Sequence, residues 1–282
     1  MIALTVVLAV AVGLSLGLLG GGGSILMVPL LAYVAGLDAA HAIATSLLVV
    51  GVTSVVGAVS HARAGHVRWR TGLEFGTAGM LGAYAGGWAS QFLPGSLLLV
   101  GLAAVMITAA IAMLRGRRAP TGAERPGRHV ALLAQGLAVG AVTGLVGAGG
   151  GFLVVPALAL LAGLPMGAAI GTSLVVIAMN SFAGLAGHLT AGAIDWRLAA
   201  MVTAAAVAGA LAGSRLTALI SVDALRVGFG WFILGMASVI LAEEIHPAVG
   251  ALAATLTAVG GLMYASCRAG YFCPLRALYP RG

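Results

Sequence analysis

A chain of 282 residues that is 61% hydrophobic, 7% charged and of mean hydropathy +1.12 cannot bury its apolar surface as a water-soluble domain, so lipid must be its solvent. No stretch alternates with the two-residue period of a barrel strand, which leaves α-helices as the spanning elements. The net charge of +7 comes from 14 arginines with no lysine; they gather in short stretches between apolar runs, where the positive-inside rule accounts for them without nucleic acid.

Residues 2–35 read as one apolar segment interrupted by Gly20–Gly23, a run too costly in backbone entropy for an ordinary helix interior. Its start is apolar from Ile2 with no basic flank, so a cleaved leader is not expected. Spans follow at 41–60, 72–92 and 96–114, completing a first repeat over 1–114. A basic linker, 115–129, carries Arg115, Arg117, Arg118, Arg125 and Arg128. The second repeat, 130–241, comprises a broken segment at 130–162 and spans at 167–187, 198–219 and 223–241. A further segment at 248–266 has no counterpart and leads into a tail, so 242–282 stands outside the duplication. The two cysteines, Cys267 and Cys273, both lie in that region, which excludes a disulfide framework and offers too few ligands for a metal.

The duplication is gapless at an offset of 127. Gly13–Leu31 and Gly140–Leu158 agree at ten of nineteen positions, and the rarer residues also align: Pro29 with Pro156, Thr45-Ser46-Leu47 with Thr172-Ser173-Leu174, His61 with His188, and Trp69-Arg70 with Trp196-Arg197. With each broken segment counted as one crossing, there are four spans per repeat. The arginine-rich loops then place the N-terminus in the cytoplasm and the two halves in the same orientation. A broken segment that doubles back would change that count. The tail arginines, Arg268, Arg276 and Arg281, would face outward in this scheme, against the rule, unless the last segment dips in and returns.

Two features carry the candidate chemistry. Each interrupted helix exposes free N–H groups and the positive end of a helix dipole, a natural anion site. Gly20, Gly21, Gly22, Gly23 and Ser24 supply one set, and Gly147, Gly149, Gly150 and Gly151 the other. The competing reading is a glycine-rich helix crossing; a phosphate loop is disfavoured because no Gly-Lys-Ser/Thr follows. At ~100° per residue, Ser46, Thr53, Ser54, Gly57 and His61 form one stripe, matched in the second half by Ser173, Asn180, Ser181, Gly184 and His188. Such a stripe serves either substrate or close helix packing. Thr45, Ser46, Thr172, Ser173 and Asn180 join the glycines as candidate substrate ligands. Glu74, His61 and His188 are candidates for proton coupling, against an interfacial role for each.

The paired "GLLGGGGSILMVPLL" and "GLVGAGGGFLVVPAL", each followed by Thr-Ser-Leu, resemble the sulfite exporter TauE/SafE family of membrane permeases over residues 5–241. The resemblance implies secondary transport of a small sulfur oxyanion or sulfonate across a bacterial cytoplasmic membrane, driven by an ion gradient, H+ for instance, and with no cofactor. The glycine breaks and the two Thr-Ser pairs are the positions that match the family's motifs. The ninth segment and its "CRAGYFCPLRALYP" depart from a plain eight-span pattern. Together these give an all-α polytopic membrane protein, a transporter rather than an enzyme, with the bilayer and the anion as partners and a homo-oligomer allowed. A membrane enzyme would need convergent acid, base or metal groups, yet there is no His-Glu-x-x-His and no pair of intramembrane aspartates. An anion channel would share the same polar lining.

Overall fold

The computed structural model describes residues 2–19, 22–114, 128–146, 151–160, 162–188, 194–216 and 222–268, and every regular element among them is helical. The elements are α1 (Ile2–Leu19), α2, α3 (Ala39–Arg63), α4 (Trp69–Ser90), α5 (Gly95–Leu114), α6 (Arg128–Val146), α7 (Gly151–Leu160), α8 (Met166–His188), α9 (Trp196–Leu216), α10 (Val222–Glu244) and α11 (Pro247–Arg268). The run numbered α2 is a 3-10 turn (Gly22–Leu26), an α-turn (Met27–Pro29) and a π-turn (Leu30–Val34) in continuous sequence. Pro29 has no N–H to give to the carbonyl four residues back, and the wider turn begins directly after it. Ala39–Arg63, Gly167–His188 and Trp196–Leu216 are individually long and apolar enough to span a bilayer. Asp38 caps α3, accepting from the His41 N–H. Shallow burial acts to raise its pKa, but the hydrogen bonds and charge of His41 outweigh it and hold this loop carboxyl below its usual range.

Contacts at glycines fix which way the helices run. A Cβ built on Gly13 would lie 2.0 Å from the Ala206 carbonyl oxygen and one on Gly17 2.2 Å from that of Ala210, so α1 and α9 are parallel. Gly136 meets Phe75, Gly140 meets Gly79 and Gly144 meets Ala83, which makes α6 parallel to α4. Gly72 faces Thr172, Gly79 faces Asn180 and Gly87 faces His188, so α4 and α8 are parallel too. Between α3 and α8 the order reverses: Gly57 meets Leu174, Gly51 meets Ser181, and Gly184 meets Leu47. The seven residues joining α8 to α9 are too few to recross a bilayer, so α9 opposes α8 and runs with α3.

It follows that α1 and α3 point the same way, and the chain must return between them. It does so through α2: Gly23 sits against the backbone of Val12 and Leu16, so the glycine break is a hairpin. By the same reasoning α6 and α8 are parallel and α7 is the return. Each repeat therefore contains five helical passes, and its odd number turns the second repeat upside down relative to the first. The halves are antiparallel, where counting each broken segment as one crossing had made them parallel. A 34-residue apolar segment, ~50 Å as a helix against a ~30 Å hydrocarbon core, was the sequence signal for the extra turn.

The halves interlock. Helix α1 of the first packs on α9 of the second, α6 on α4, α3 crosses α8, and α5 packs on α10. Gly82, Gly86, Gly136, Gly140 and Gly144 form the α4–α6 seam, with backbone atoms in direct contact, as membrane helices without a hydrophobic drive require. Helix α11 packs antiparallel on α10, with Gly250 on Ala242 and Gly260 on Trp231. Among the described residues, Arg63, Arg68, Arg70, Arg128, Arg215, Arg226 and Arg268 all fall at one end of the bundle, and Arg197 alone at the other. Arg115, Arg117, Arg118 and Arg125 lie between Leu114 and Arg128, both at the arginine end.

Candidate functional site

The half-helices that follow the two glycine breaks come together near the middle of the bundle. Gly13 pairs with Ala206, the central residue of α9, and Gly23 lies within about a turn of that level, beside Val12 and Leu16. Helix α7, which begins at Gly151, packs against the first turn of α2. A half-helix of the second repeat thus packs against the start of the first repeat's half-helix at mid-depth. Ser24, in the first turn of α2, is fully buried. Gly20, Gly21, Gly147, Gly149 and Gly150 lie outside the described residues; Gly22 and Gly151 are the first residues of their half-helices.

Polar side chains of the α3–α8 crossing share this depth. Asn180 packs against Gly79 halfway along α4, is 1% exposed, and neither amide atom has a hydrogen-bond partner. The Ser54 and Ser181 hydroxyls are likewise buried and unpartnered, Ser181 lying against Gly51 at the centre of α3. A buried amide or hydroxyl left unpaired costs on the order of 1–3 kcal/mol. Three such residues at one level suit a place that exchanges a polar guest.

The Thr-Ser pairs are not brought together. Helices α3 and α8 cross antiparallel, so Thr45-Ser46 and Thr172-Ser173 fall in opposite halves of the membrane, ~20 Å apart along the axis. Thr172 sits at the arginine end, its Oγ1 accepting the Arg68 N–H at 2.9 Å, and the Ser173 hydroxyl donates to the Ile170 carbonyl at 2.7 Å. The Thr45 hydroxyl is buried without a partner.

The paired histidines occupy opposite ends as well. His188 is 2% exposed; its Nε2–H donates to the Gly144 carbonyl at 2.8 Å and its Nδ1 is 3.1 Å from the Ser90 hydroxyl, itself 2.7 Å from the Gly87 carbonyl. Gly144 is in the last turn of α6, so His188 satisfies one of the carbonyls that the break leaves open. Its repeat mate His61, at the arginine end, has both ring nitrogens buried with no partner, and its ring centroid is 6.1 Å from that of His66. Glu74 accepts from Arg70 Nε at 3.1 Å, one turn away on the same helix. Ser90 and Gly79 drew no attention in the sequence, Ser90 because its repeat mate is Thr217 in a poorly matched stretch, Gly79 because it is one of 44 glycines. Among the described residues no cluster of three or more His, Cys, Asp or Glu could hold a metal ion.

Comparison with known proteins identifies the family. The family model described as sulfite exporter TauE/SafE matches residues 5–240. A protein of Xylella fastidiosa named "Probable membrane transporter protein" is 35% identical over 236 residues, covering 80% of this chain and 89% of the relative. "Probable membrane transporter protein YdhB" of Bacillus subtilis is 27% identical over 213 residues, covering 73% and 86%. No solved structure matches the chain. The chain is a multi-pass membrane transporter and belongs to the sulfite exporter TauE/SafE family.

Proposed function

We propose that this transporter carries small sulfur-containing anions, sulfite or an organosulfonate, by alternating access, with the anion held at mid-depth between the half-helix N-termini of α2 and α7. The observation that carries the reading is the packing of α7 on the first turn of α2, one element from each inverted repeat, at the level of Asn180, Ser54 and Ser181. N–H groups of the first turns and the aligned dipoles supply positive potential without a full charge. The amide and hydroxyls supply further donors. The same depth in lipid strengthens each contact, because no bulk water competes. Thr45-Ser46 on one side and Thr172-Ser173 on the other line the two routes to the centre and close in turn. His188 and His61, one at each end, couple a proton to that exchange; the hydrogen-bonded ring of His188 and the unpartnered ring of His61 support that reading.

The protein, purified and titrated with sulfite, thiosulfate, sulfate, sulfoacetate and nitrite, is expected to gain thermal stability with sulfite or a sulfonate and to move the same ligand into proteoliposomes. Stabilisation by none of the sulfur anions would dismiss the substrate class.

Orientation follows from the arginines. The arginine-rich end faces the cytoplasm of a bacterial inner membrane, which puts the N-terminus outside and the end of α11 inside. In a background without Cys267 and Cys273, a membrane-impermeant maleimide on intact cells should label His246→Cys and spare Gly167→Cys until the cells are opened. Both positions are exposed, and parallel halves would give the opposite pattern.

A further inference from the structure

We infer that the groove between α3, α4 and α8 at the arginine end is a binding site for an anionic phospholipid of the adjacent leaflet, its acyl chain in the groove and its phosphate on Arg63. The groove has a volume of about 630 Å³, and its lining is apolar side chains apart from Arg63 and the indole of Trp69. Val55, Val59, Met80 and Phe182 are exposed on its walls, on a surface that faces lipid by the topology above. It begins near mid-depth at Phe182 and Met80 and climbs to Arg63 and Trp69. The path from Val55 to Arg63 is ~12 Å and from Met80 to Trp69 ~16 Å, about half the ~30 Å hydrocarbon core. A single leaflet's acyl chain has that reach.

The polar end matches the head of such a lipid. Trp69 is placed as an interfacial indole, and Arg63 closes the last turn of α3. The ion pairs His41–Asp38 and Arg70–Glu74 do not involve Arg63, and no described carboxylate is paired with it. A guanidinium at a bilayer interface takes a phosphate oxygen readily, in bidentate geometry. Arg68 and Arg70 lie a few residues on, at the same end, and add to the field.

Native mass spectrometry of the delipidated protein in detergent, with phosphatidylglycerol and phosphatidylcholine added at equal concentration, tests the assignment. The expected result is a bound adduct favouring phosphatidylglycerol about fivefold, as ~1 kcal/mol of attraction per basic residue near an anionic surface implies. Arg63→Gln should remove the preference while leaving weak binding of both lipids, and Arg63→Lys should restore most of it. Val59→Trp, at an exposed position, should fill the groove and abolish both adducts; Arg197→Gln, at the far end, should change nothing. Inorganic phosphate should give no adduct, since it has no chain to bury. Equal retention of the two lipids, or a preference that survives Arg63→Gln, overturns the assignment. So does a dimer that Val59→Trp alone dissociates, because the groove would then belong to a second copy of the chain. If Val59→Trp does not fold, the Arg63 pair decides.

Discussion

Leucine in place of Gly23 is expected to abolish flux of the proposed substrate, sulfite, while leaving the protein inserted in the membrane. A Cβ at this position would lie 2.6 Å from the Leu16 nitrogen and 2.6 Å from the Val12 carbonyl oxygen, backbone atoms with no rotamer by which to yield. The first turn of α2 must therefore move away from α1 by an ångström or more, taking its N–H donors with it. A displacement of about 1 Å at a positioning group costs on the order of a hundredfold in rate. Radiolabelled sulfite uptake into proteoliposomes should fall by that factor or more, with Gly23→Ala intermediate. Flux at the unmodified level would remove α2 from the transport site.

Leucine in place of Gly140 acts on the fold itself. The built Cβ would be 2.0 Å from the Gly79 carbonyl oxygen, in the middle of a seam where α4 and α6 touch backbone to backbone. Overpacking a well-filled site costs about 1–3 kcal/mol even where side chains can adjust. Here only the separation of two helices would relieve it, and that opens Gly136, Gly144, Gly82 and Gly86 together. The variant is expected to give no monodisperse peak on size exclusion in mild detergent. A protein that elutes and melts like the unmodified one would show the seam to be looser than its geometry. Gly101, whose added Cβ meets nothing within 4 Å, is the matched control and should accept alanine at little cost.

The duplication, the membrane class and the two breaks were all legible in the residues, because a 127-residue offset with aligned Pro29/Pro156 and His61/His188 survives any uncertainty about helix ends. The sense of the breaks was not. Hydropathy averages along the chain and gives a hairpin and a straight crossing the same score, so the reversal at Gly23 appears only once Val12 and Leu16 are seen against it. That single turn changes the parity of each repeat and with it every orientation downstream. The tail arginines, which sat badly with four crossings per half, were the residue of that miscount. The candidate site divides along the same line. The glycine pairs were recognisable as a pair because they are local. Placing Thr45 and Thr172 in one site assumed parallel halves, and antiparallel halves carry them to opposite ends. Gly79, which admits Asn180 to the centre, has no sequence mark to separate it from its 43 fellow glycines.

The seams also say something about assembly. Because α1 closes chiefly on α9 and α6 on α4, each half lacks the main partner of its own first helix. One repeat made alone would bury its seam only against a second copy inserted upside down, so the fold is in effect an antiparallel dimer joined into one chain.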